Sequence, residues 1–361
     1  MNERIILGLM SGSSLDGVDM AAVRFWGDTT SNLQWELVAK PITITYPESI
    51  KSYLKIVHTL SGEVLNNFHC DMGDFFGKVS KEYIDANQLK ISAIASHGHT
   101  VLHNPEGGYS LQIGDGLKMA AASGLLCITD FRNQDILAGG QGAPLAPVVE
   151  HYLFGDYKMF LNIGGISNIS LHVDKDIIAY DICPANQLLN HLANSLDLPF
   201  DDKGEIAASG IVDRMLLSSL HHDAYHQLSA PKSLDNNYVR NQFIAKIDNS
   251  NISIADKLAT CTRYIADNIA EEIASLATTY HVNEILVTGG GAYNTFLLDL
   301  LRIKLADVLV VLPKDEIIQH KESILMAICG YLYLEGQPNS FATATGASMD
   351  TINGSLHKPQ K

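Results

Sequence analysis

Residues 10–19 read MSGSSLDGVD: glycines 12 and 17, serines 11, 13 and 14, and Asp16 and Asp19 interrupt an otherwise apolar stretch. Gly12 permits close approach of the backbone to a ligand. Ser11, Ser13 and Ser14 offer hydroxyls and N–H donors, and successive N–H groups in a turn form an anion-binding concavity. The carboxylates of Asp16 and Asp19 suit a phosphate only with a bridging cation, and Mg²⁺ takes one or two carboxylates plus phosphate oxygens and water. The turn therefore reads as a nucleotide phosphate loop with a metal. It is not a Walker A loop, because GxxxxGK[ST] occurs nowhere in the chain. No GxGxxG follows a strand, so a dinucleotide fold lacks support.

Three further stretches carry chemistry. Residues 96–105, SHGHTVLHNP, place His97, His99 and His103 in an HxHxxxH pattern, which suits either a metal or a polar substrate cleft. Residues 129–147, TDFRNQDILAGGQGAPLAP, hold Arg132 between Asp130 and Asp135, then Gly139, Gly140 and Gly142, with Pro144 and Pro147 fixing the exit. Arg132 is able to clamp a carboxylate or phosphate through two N–H groups. This segment reads as a ligand-contacting loop joining two domains, or as a surface loop with an internal Arg–Asp pair. Residues 180–190, YDICPANQLLN, put Asp181 at the end of a strand expected over 177–180, before a helix expected to start at Pro184. That placement suits a catalytic carboxylate or an N-cap. His221, His222 and His226 lie in a polar stretch and read as solvated. Glu322 precedes the last long helix, where it either caps that helix or reaches a cleft.

These residues need elements to hold them. The pattern predicts strands over residues 4–10, 18–26, 93–96, 125–129, 158–163, 169–173, 284–287 and 308–311. It predicts helices over 50–60, 65–87, 252–280 and 324–334. The alternation is that of an α/β protein. The opening strand, small-residue turn and strand recur at 159–173, MFLNIGGISNISLHV, with Gly164, Gly165, Ser167 and Asn168 in the turn. A third turn, VTGGGAYN at 287–294, carries Gly289, Gly290 and Gly291. Two similar hairpins half a chain apart predict two related domains facing one cleft.

Composition agrees with a folded two-domain chain. The 361 residues are 46% hydrophobic and 18% charged. No apolar run is long enough to span a bilayer, and the N-terminus does not read as a signal peptide. Cysteines 70, 127, 183, 261 and 329 show no CxxC spacing, so neither a disulfide framework nor a zinc site is expected, and a reducing cytoplasm is. A net charge of −15 without a Lys/Arg cluster argues against nucleic acid as partner.

Taken in order, the blocks resemble those of the anhydro-N-acetylmuramic acid kinase family, within the actin-like ATPase and sugar kinase superfamily. The resemblance rests on MSGSSLDGVD, ASHGHTVLHNP, LQIGDG, the 129–147 stretch, FLNIGGISNIS, YDICPANQLL, DKGEIAASG, VTGGGAYN, KES and SFATATGA. It implies two RNase H-like domains around a central cleft, expected here as residues 1–130 plus 340–361 and residues 131–339. It implies ATP and Mg²⁺ as cofactors, with ATP held by Gly12, Ser13, Ser14, Leu15, Asp16, Gly17, Val18 and Asp19, by Gly164, Gly165, Ser167 and Asn168, and by Gly289, Gly290 and Gly291. Asp16 is the expected Mg²⁺ ligand. His97, Arg132, Asp135 and Glu322 are the expected sugar contacts, and Asp181 is the implied catalytic base. The implied reaction converts 1,6-anhydro-N-acetylmuramic acid, ATP and water to N-acetylmuramic acid 6-phosphate and ADP, in peptidoglycan recycling, by a cytoplasmic homodimer with no membrane partner. Alternatives are a kinase of another amino sugar, a non-catalytic ATP-driven switch of the same fold, and a metal hydrolase built on His97 and His99. Three positions depart from the family pattern: Ser13 replaces Thr, His99 replaces Gln and is expected to titrate near neutrality, and Cys183 replaces Gly, adding bulk beside Asp181.

Overall fold

The computed structural model of the chain describes residues 2–12, 15–173, 176–230 and 232–359. It divides into two compact units, residues 1–155 with 320–361, and residues 156–319.

The first unit is built on a seven-stranded sheet. β1 (Arg4–Ser11) and β2 (Gly17–Trp26) form an antiparallel hairpin, with Ser11 opposite Val18 at its turn end. β3 (Gln34–Leu37) and β4 (Ile42–Thr45) both pair antiparallel with β2. On its other edge β1 pairs in parallel with β5 (Ala93–Ser96). The hairpin of β6 (His99–Asn104) and β7 (Tyr109–Ile113) forms its own small sheet. β8 (Cys127–Thr129) extends the parallel series from β5, and Ser355–His357 closes the edge antiparallel to β8.

β1 is bonded on both edges and covered by helices, which is why RIILGLM is almost continuously apolar. Ile6, Leu7 and Leu9 are fully buried, each stabilising the fold by about 1.5–3 kcal/mol. The crossover from β4 to β5 requires a helix. Gly62–Ala86 supplies it, burying Phe68, Met72, Phe76, Val79 and Tyr83 at helical spacing. The helix Asp315–Leu334 lies so close to β1 that a Cβ on Gly8 would sit 1.9 Å from the Ser323 carbonyl oxygen and 2.5 Å from the Ala327 nitrogen.

The second unit repeats the plan. β9 (Met159–Ile163), β10 (Ile166–Val173) and β11 (Asp176–Pro184) form an antiparallel meander. β9 then pairs in parallel with β12 (Glu284–Thr288), and β12 with β13 (Leu309–Val311). The order β11-β10-β9-β12-β13 matches β3-β2-β1-β5-β8 of the first unit in order and direction. Each is an RNase H-like sheet. The crossover helix Ile254–Tyr280 begins at Ser253, whose Oγ accepts the Asp256 N–H at 3.1 Å, and buries Leu258, Ile265, Ile269, Ile273 and Ala277. Among the described residues no helix is long and apolar enough to cross a membrane.

Several expectations need correction. β11 runs to Pro184 and the next helix starts at Asn186 with Ala185 as its N-cap, so Asp181 lies inside the strand and caps nothing. The last long helix begins at Asp315, not 324, and leaves helical geometry at His320 (φ −119°, ψ 19°), so Glu322 follows that bend within the helix. Residues 131–155 and 320–339 belong with the first unit rather than the second. The Lys321–Glu150 ion pair (3.1 Å) and the packing of Ser323, Ala327 and Gly330 on β1 and β5 hold them there. β3, β4, β6 and β7 were not expected; they are short and largely exposed, so the apolar pattern is weak.

Replacing Gly8 with Ala should destabilise the protein by about 2–3 kcal/mol through overpacking against helix backbone. That outweighs the gain of about 0.4–1 kcal/mol from a stiffer unfolded chain. Urea unfolding at equilibrium measures the difference.

Candidate active site

In the first unit the turn between β1 and β2 is anchored from below. Tyr46 donates its hydroxyl to Ser11 Oγ at 2.6 Å, and Ser11 Oγ lies 3.0 Å from His99 Nδ1. With its oxygen accepting from Tyr46, Ser11 has its own proton to give to Nδ1. His99 is buried, and desolvation lowers its pKa. The ring thus accepts at Nδ1, and its pKa lies below the ordinary histidine value rather than at it. Gly12 has open space beside it, with nothing within 4 Å of a Cβ. Leu15 adopts φ 58°, a left-handed conformation that is costly for a residue with a Cβ and typical of ligand loops. Asp16 is exposed at the bend, its carbonyl accepting the Tyr46 N–H at 3.2 Å. Gly17 and Val18 are buried in β2, where a Cβ on Gly17 would lie 2.2 Å from the Ile44 carbonyl oxygen. The neighbouring β4 backbone therefore accounts for Gly17. Asp19 accepts from Thr43 Oγ1 at 2.5 Å and lies 3.8 Å from His320 Nδ1. Ser13 and Ser14 lie outside the described residues.

A second group in the same unit centres on Arg132. Its Nε donates to His97 Nε2 at 3.0 Å and its Nη1 donates to the Gly142 carbonyl at 3.0 Å. Because His97 Nε2 accepts, its proton sits on Nδ1, which faces the Gly98 carbonyl at 3.1 Å. Burial, and then the Arg132 cation, hold the His97 pKa down to about 3. His97 is a fixed neutral hydrogen-bonding group. Glu322 has a solvent-accessible side chain but dense protein surroundings, and desolvation raises its pKa. Asp19 adds to the rise, while Lys321 and Arg132 oppose it. Burial lowers the Arg132 pKa and Glu322 partly restores it.

Asp135 stands apart from the expected sugar contacts. It is fully buried, with Oδ2 accepting the Gly142 N–H (2.7 Å) and Oδ1 accepting from Ser340 (2.8 Å) and Thr345 (2.7 Å). Its carboxylate is committed to holding the 139–142 loop. His103 is exposed and meets Ser110 Oγ at 3.0 Å. Among the described residues no group of three or more His, Cys, Asp or Glu side chains is placed to hold a metal ion. A Mg²⁺ held by one carboxylate, phosphate oxygens and water needs no such group.

In the second unit, Gly164 and Gly165 join β9 to β10. Gly165 O accepts the N–H groups of Ala185 (2.8 Å) and Gln187 (3.1 Å), and Gly164 O accepts that of Asn186 (3.1 Å). The start of the helix Asn186–Asn194 thereby fixes the turn. The third turn packs beside it. Gly289 has φ 85°, and Cβ atoms on Gly289 and Gly291 would lie 2.6 Å from Asn162 Oδ1 and 2.2 Å from Ile163 Cγ2. Gly290 lies next to Asn186, whose Nδ2 donates to the Ile163 carbonyl at 3.2 Å.

Ser167 pairs with Cys183 and Asn168 with Asp181, so Ile182 is an extra residue bulged out of β11. The bulge breaks the alternation that would put residues 181 and 183 on one face. Cys183 turns fully into the core, its Sγ 3.3 Å from Ser167 Oγ and its pKa pushed up to about 12 by burial. Asp181 stays half-buried. Three groups fix it: its N–H donates to Lys232 O (3.0 Å), its carbonyl accepts from the Tyr225 hydroxyl (2.7 Å), and its Oδ2 accepts the Leu234 N–H (2.9 Å). Oδ1 has no hydrogen-bond donor among the described residues. Burial raises the Asp181 pKa, and the Leu234 N–H opposes the rise. The result is a carboxylate with one oxygen anchored and a raised proton affinity, the properties of a general base.

The expected solvation of the histidines at 221–226 does not hold throughout. His226 Nε2 lies 2.7 Å from the Tyr264 hydroxyl among aromatic rings, and burial lowers its pKa to about 4. Tyr46, Tyr225 and Leu234 support the site and carry no sequence signal, because each reaches it from 35 to 53 residues away in the chain.

Two RNase H-like units, each opening on a hairpin with a small-residue turn, define an actin-like ATPase fold. The sequence profile of anhydro-N-acetylmuramic acid kinase matches residues 4–359. The chain is 35% identical to the anhydro-N-acetylmuramic acid kinases of Shewanella halifaxensis and of Shewanella pealeana, over 99% of this chain and 99% of each relative. It is 32% identical to that of Burkholderia lata over 98% of this chain and 96% of the relative. The chain belongs to the anhydro-N-acetylmuramic acid kinase family.

Replacing Arg132 with Met removes the cation facing His97. The His97 pKa should rise from about 3 yet stay below the ordinary value of 6.5, because burial is the larger cause. Titration of the histidine ring protons by NMR measures it.

Proposed function

We propose that the chain is an ATP-dependent kinase that opens the 1,6-anhydro bridge of 1,6-anhydro-N-acetylmuramic acid with water and phosphorylates O6. The observation that carries this reading is Asp181, next to the bulge at Ile182, with Oδ2 anchored and its pKa raised. Family membership supports the substrate.

The anhydro bridge ties O6 to C1. Asp181 takes a proton from water as the water oxygen bonds to C1. The C1–O6 bond breaks, O6 bonds to the γ-phosphorus, and the bond from that phosphorus to the β–γ bridging oxygen breaks to release ADP. The proton on Asp181 then returns to solvent. The phosphates are held at the β1–β2 turn by Gly12, Leu15 and Asp16 and at the second turn by Gly164, Gly165 and Asn168, while Gly289 to Gly291 lie against the adenosine. Contrary to expectation, Gly17, Val18 and Asp19 are paired within β2, and Ser167 is buried with its hydroxyl donating to the Cys183 carbonyl at 2.9 Å, so these four support the turns without touching phosphate. Asp16, exposed at its bend, is suited as a hard oxygen ligand for Mg²⁺, which when bound offsets phosphate charge. Neutral His97, with one ring nitrogen taken by Arg132 and the other by the Gly98 carbonyl, orients Arg132 rather than touching the sugar itself, and Arg132 and Glu322 are the charged contacts. Asp135 acts by holding the loop beside Arg132. We extend the same reading to a role in peptidoglycan recycling, in the cytoplasm and as a homodimer, with family membership as its support.

Replacing Asp181 with Asn should lower kcat by about 10²–10⁴-fold with little change in KM for ATP, because only proton abstraction is lost. In the parent enzyme kcat should fall on the acid side, with its midpoint above the ordinary aspartate value because burial raises the Asp181 pKa. Near-normal turnover by the Asn variant would defeat the assignment. Steady-state kinetics across pH test both.

A further inference from the structure

The groups that hold Asp181 are themselves held by an ion pair between a buried lysine and a half-buried glutamate that the reaction above does not use. The segment around Lys232 to Leu234 runs along the outer edge of β11. It accepts the Asp181 N–H at Lys232 O and gives the Leu234 N–H to Asp181 Oδ2. Leu234 is an apolar anchor for this strap, 8% exposed. The other anchor is the side chain of Lys232, itself only 6% exposed, whose Nζ lies 3.3 Å from Glu272 Oε1. Glu272 projects from the helix Ile254–Tyr280, and its Oε2 accepts from the Tyr180 hydroxyl at 2.9 Å. The ammonium also lies 5.2 Å from the Tyr225 ring centre and 5.8 Å from that of Tyr180. A lysine is rarely buried to this extent without a reason, and an ion pair of this kind adds little net stability over apolar residues of the same shape.

We infer that Lys232, paired with Glu272, is a positioning residue that pins the 232–234 strap and thereby keeps the Asp181 carboxylate aimed for proton abstraction. Lys232 ties the strap to the longest helix of the second unit and Tyr225 ties the Asp181 carbonyl. Oδ1 is thus left as the oxygen that meets water. The titratable groups facing the Lys232–Glu272 pair are Tyr180 and Cys183 from β11 and Tyr225 and His226 from residues 224–227. The inference rests on Asp181 being the base.

The test is the double variant Lys232→Met with Glu272→Gln, beside the single variant Lys232→Arg. The double variant removes one charge of each sign, so the direct field at Asp181 changes little. The side-chain amide oxygen that Glu272→Gln introduces still accepts from the Tyr180 hydroxyl. Two readouts are taken: the Asp181 pKa from carboxyl ¹³C NMR, assigned by the loss of its signal in Asp181→Asn, and kcat and KM with 1,6-anhydro-N-acetylmuramic acid. With the strap loosened and the Leu234 N–H withdrawn, the Asp181 pKa should rise by about one unit. The kcat should fall by about 10–100-fold with KM little changed. Lys232→Arg should stay near the parent in both. An unchanged Asp181 pKa in a folded double variant would overturn the inference. So would a loss confined to KM. If the pKa rises but the parent enzyme does not turn over the anhydro-sugar, the positioning stands and the proposed reaction falls.

Discussion

Each unit depends on one constraint: its central strand is hydrogen-bonded on both edges, antiparallel to a hairpin partner and parallel to a crossover strand. β1 lies between β2 and β5, and β9 between β10 and β12. A strand so placed is apolar on both faces, and polar chemistry appears only where it ends. Ser11 sits at the end of β1, and Gly164 follows the end of β9. The turns there must reverse the chain in a few residues while helices crowd the sheet. Small residues and a left-handed Leu15 follow from that geometry as much as from any ligand.

The two units carry different electrostatics. In the first, Arg132 donates to a neutral imidazole and to a backbone carbonyl, so its charge is held in place by groups that do not neutralise it. Such a cation suits an anionic or strongly polar ligand. In the second, Asp181 combines partial burial with one backbone N–H, which leaves its proton affinity raised while its orientation stays fixed. The bulge at Ile182 separates this carboxylate from Cys183. The Cys183 thiol therefore enters the core beside Ser167 and adds no bulk at the carboxylate.

The sequence made the central strands and the long crossover helices legible because burial on both faces or along one stripe leaves a strong apolar period. The hairpins and glycine turns were legible for the same reason, since they punctuate those runs. What stayed hidden was set by contacts distant in the chain. Asp135 reads like a ligand group beside Arg132, yet Ser340 and Thr345, over 200 residues away, take one oxygen of its carboxylate. Asp181 reads as a strand end, because nothing local announces a bulge or a strap arriving from residues 232–234. His99 reads as a titrating group, because its burial under Ser11 and Tyr46 depends on the folded hairpin.

The central claim is that water activated by Asp181 attacks C1 of the anhydro-sugar while O6 leaves to receive the γ-phosphoryl group. The most direct measurement is to incubate the protein with ATP, Mg²⁺ and 1,6-anhydro-N-acetylmuramic acid in ¹⁸O-labelled water. The sugar product is then analysed by mass spectrometry at early times, before the reducing end exchanges its oxygen with solvent. The account predicts one ¹⁸O at C1 and an unlabelled phosphoryl group on O6. Label in the phosphoryl group, or a phosphorylated product without label at C1, would contradict it.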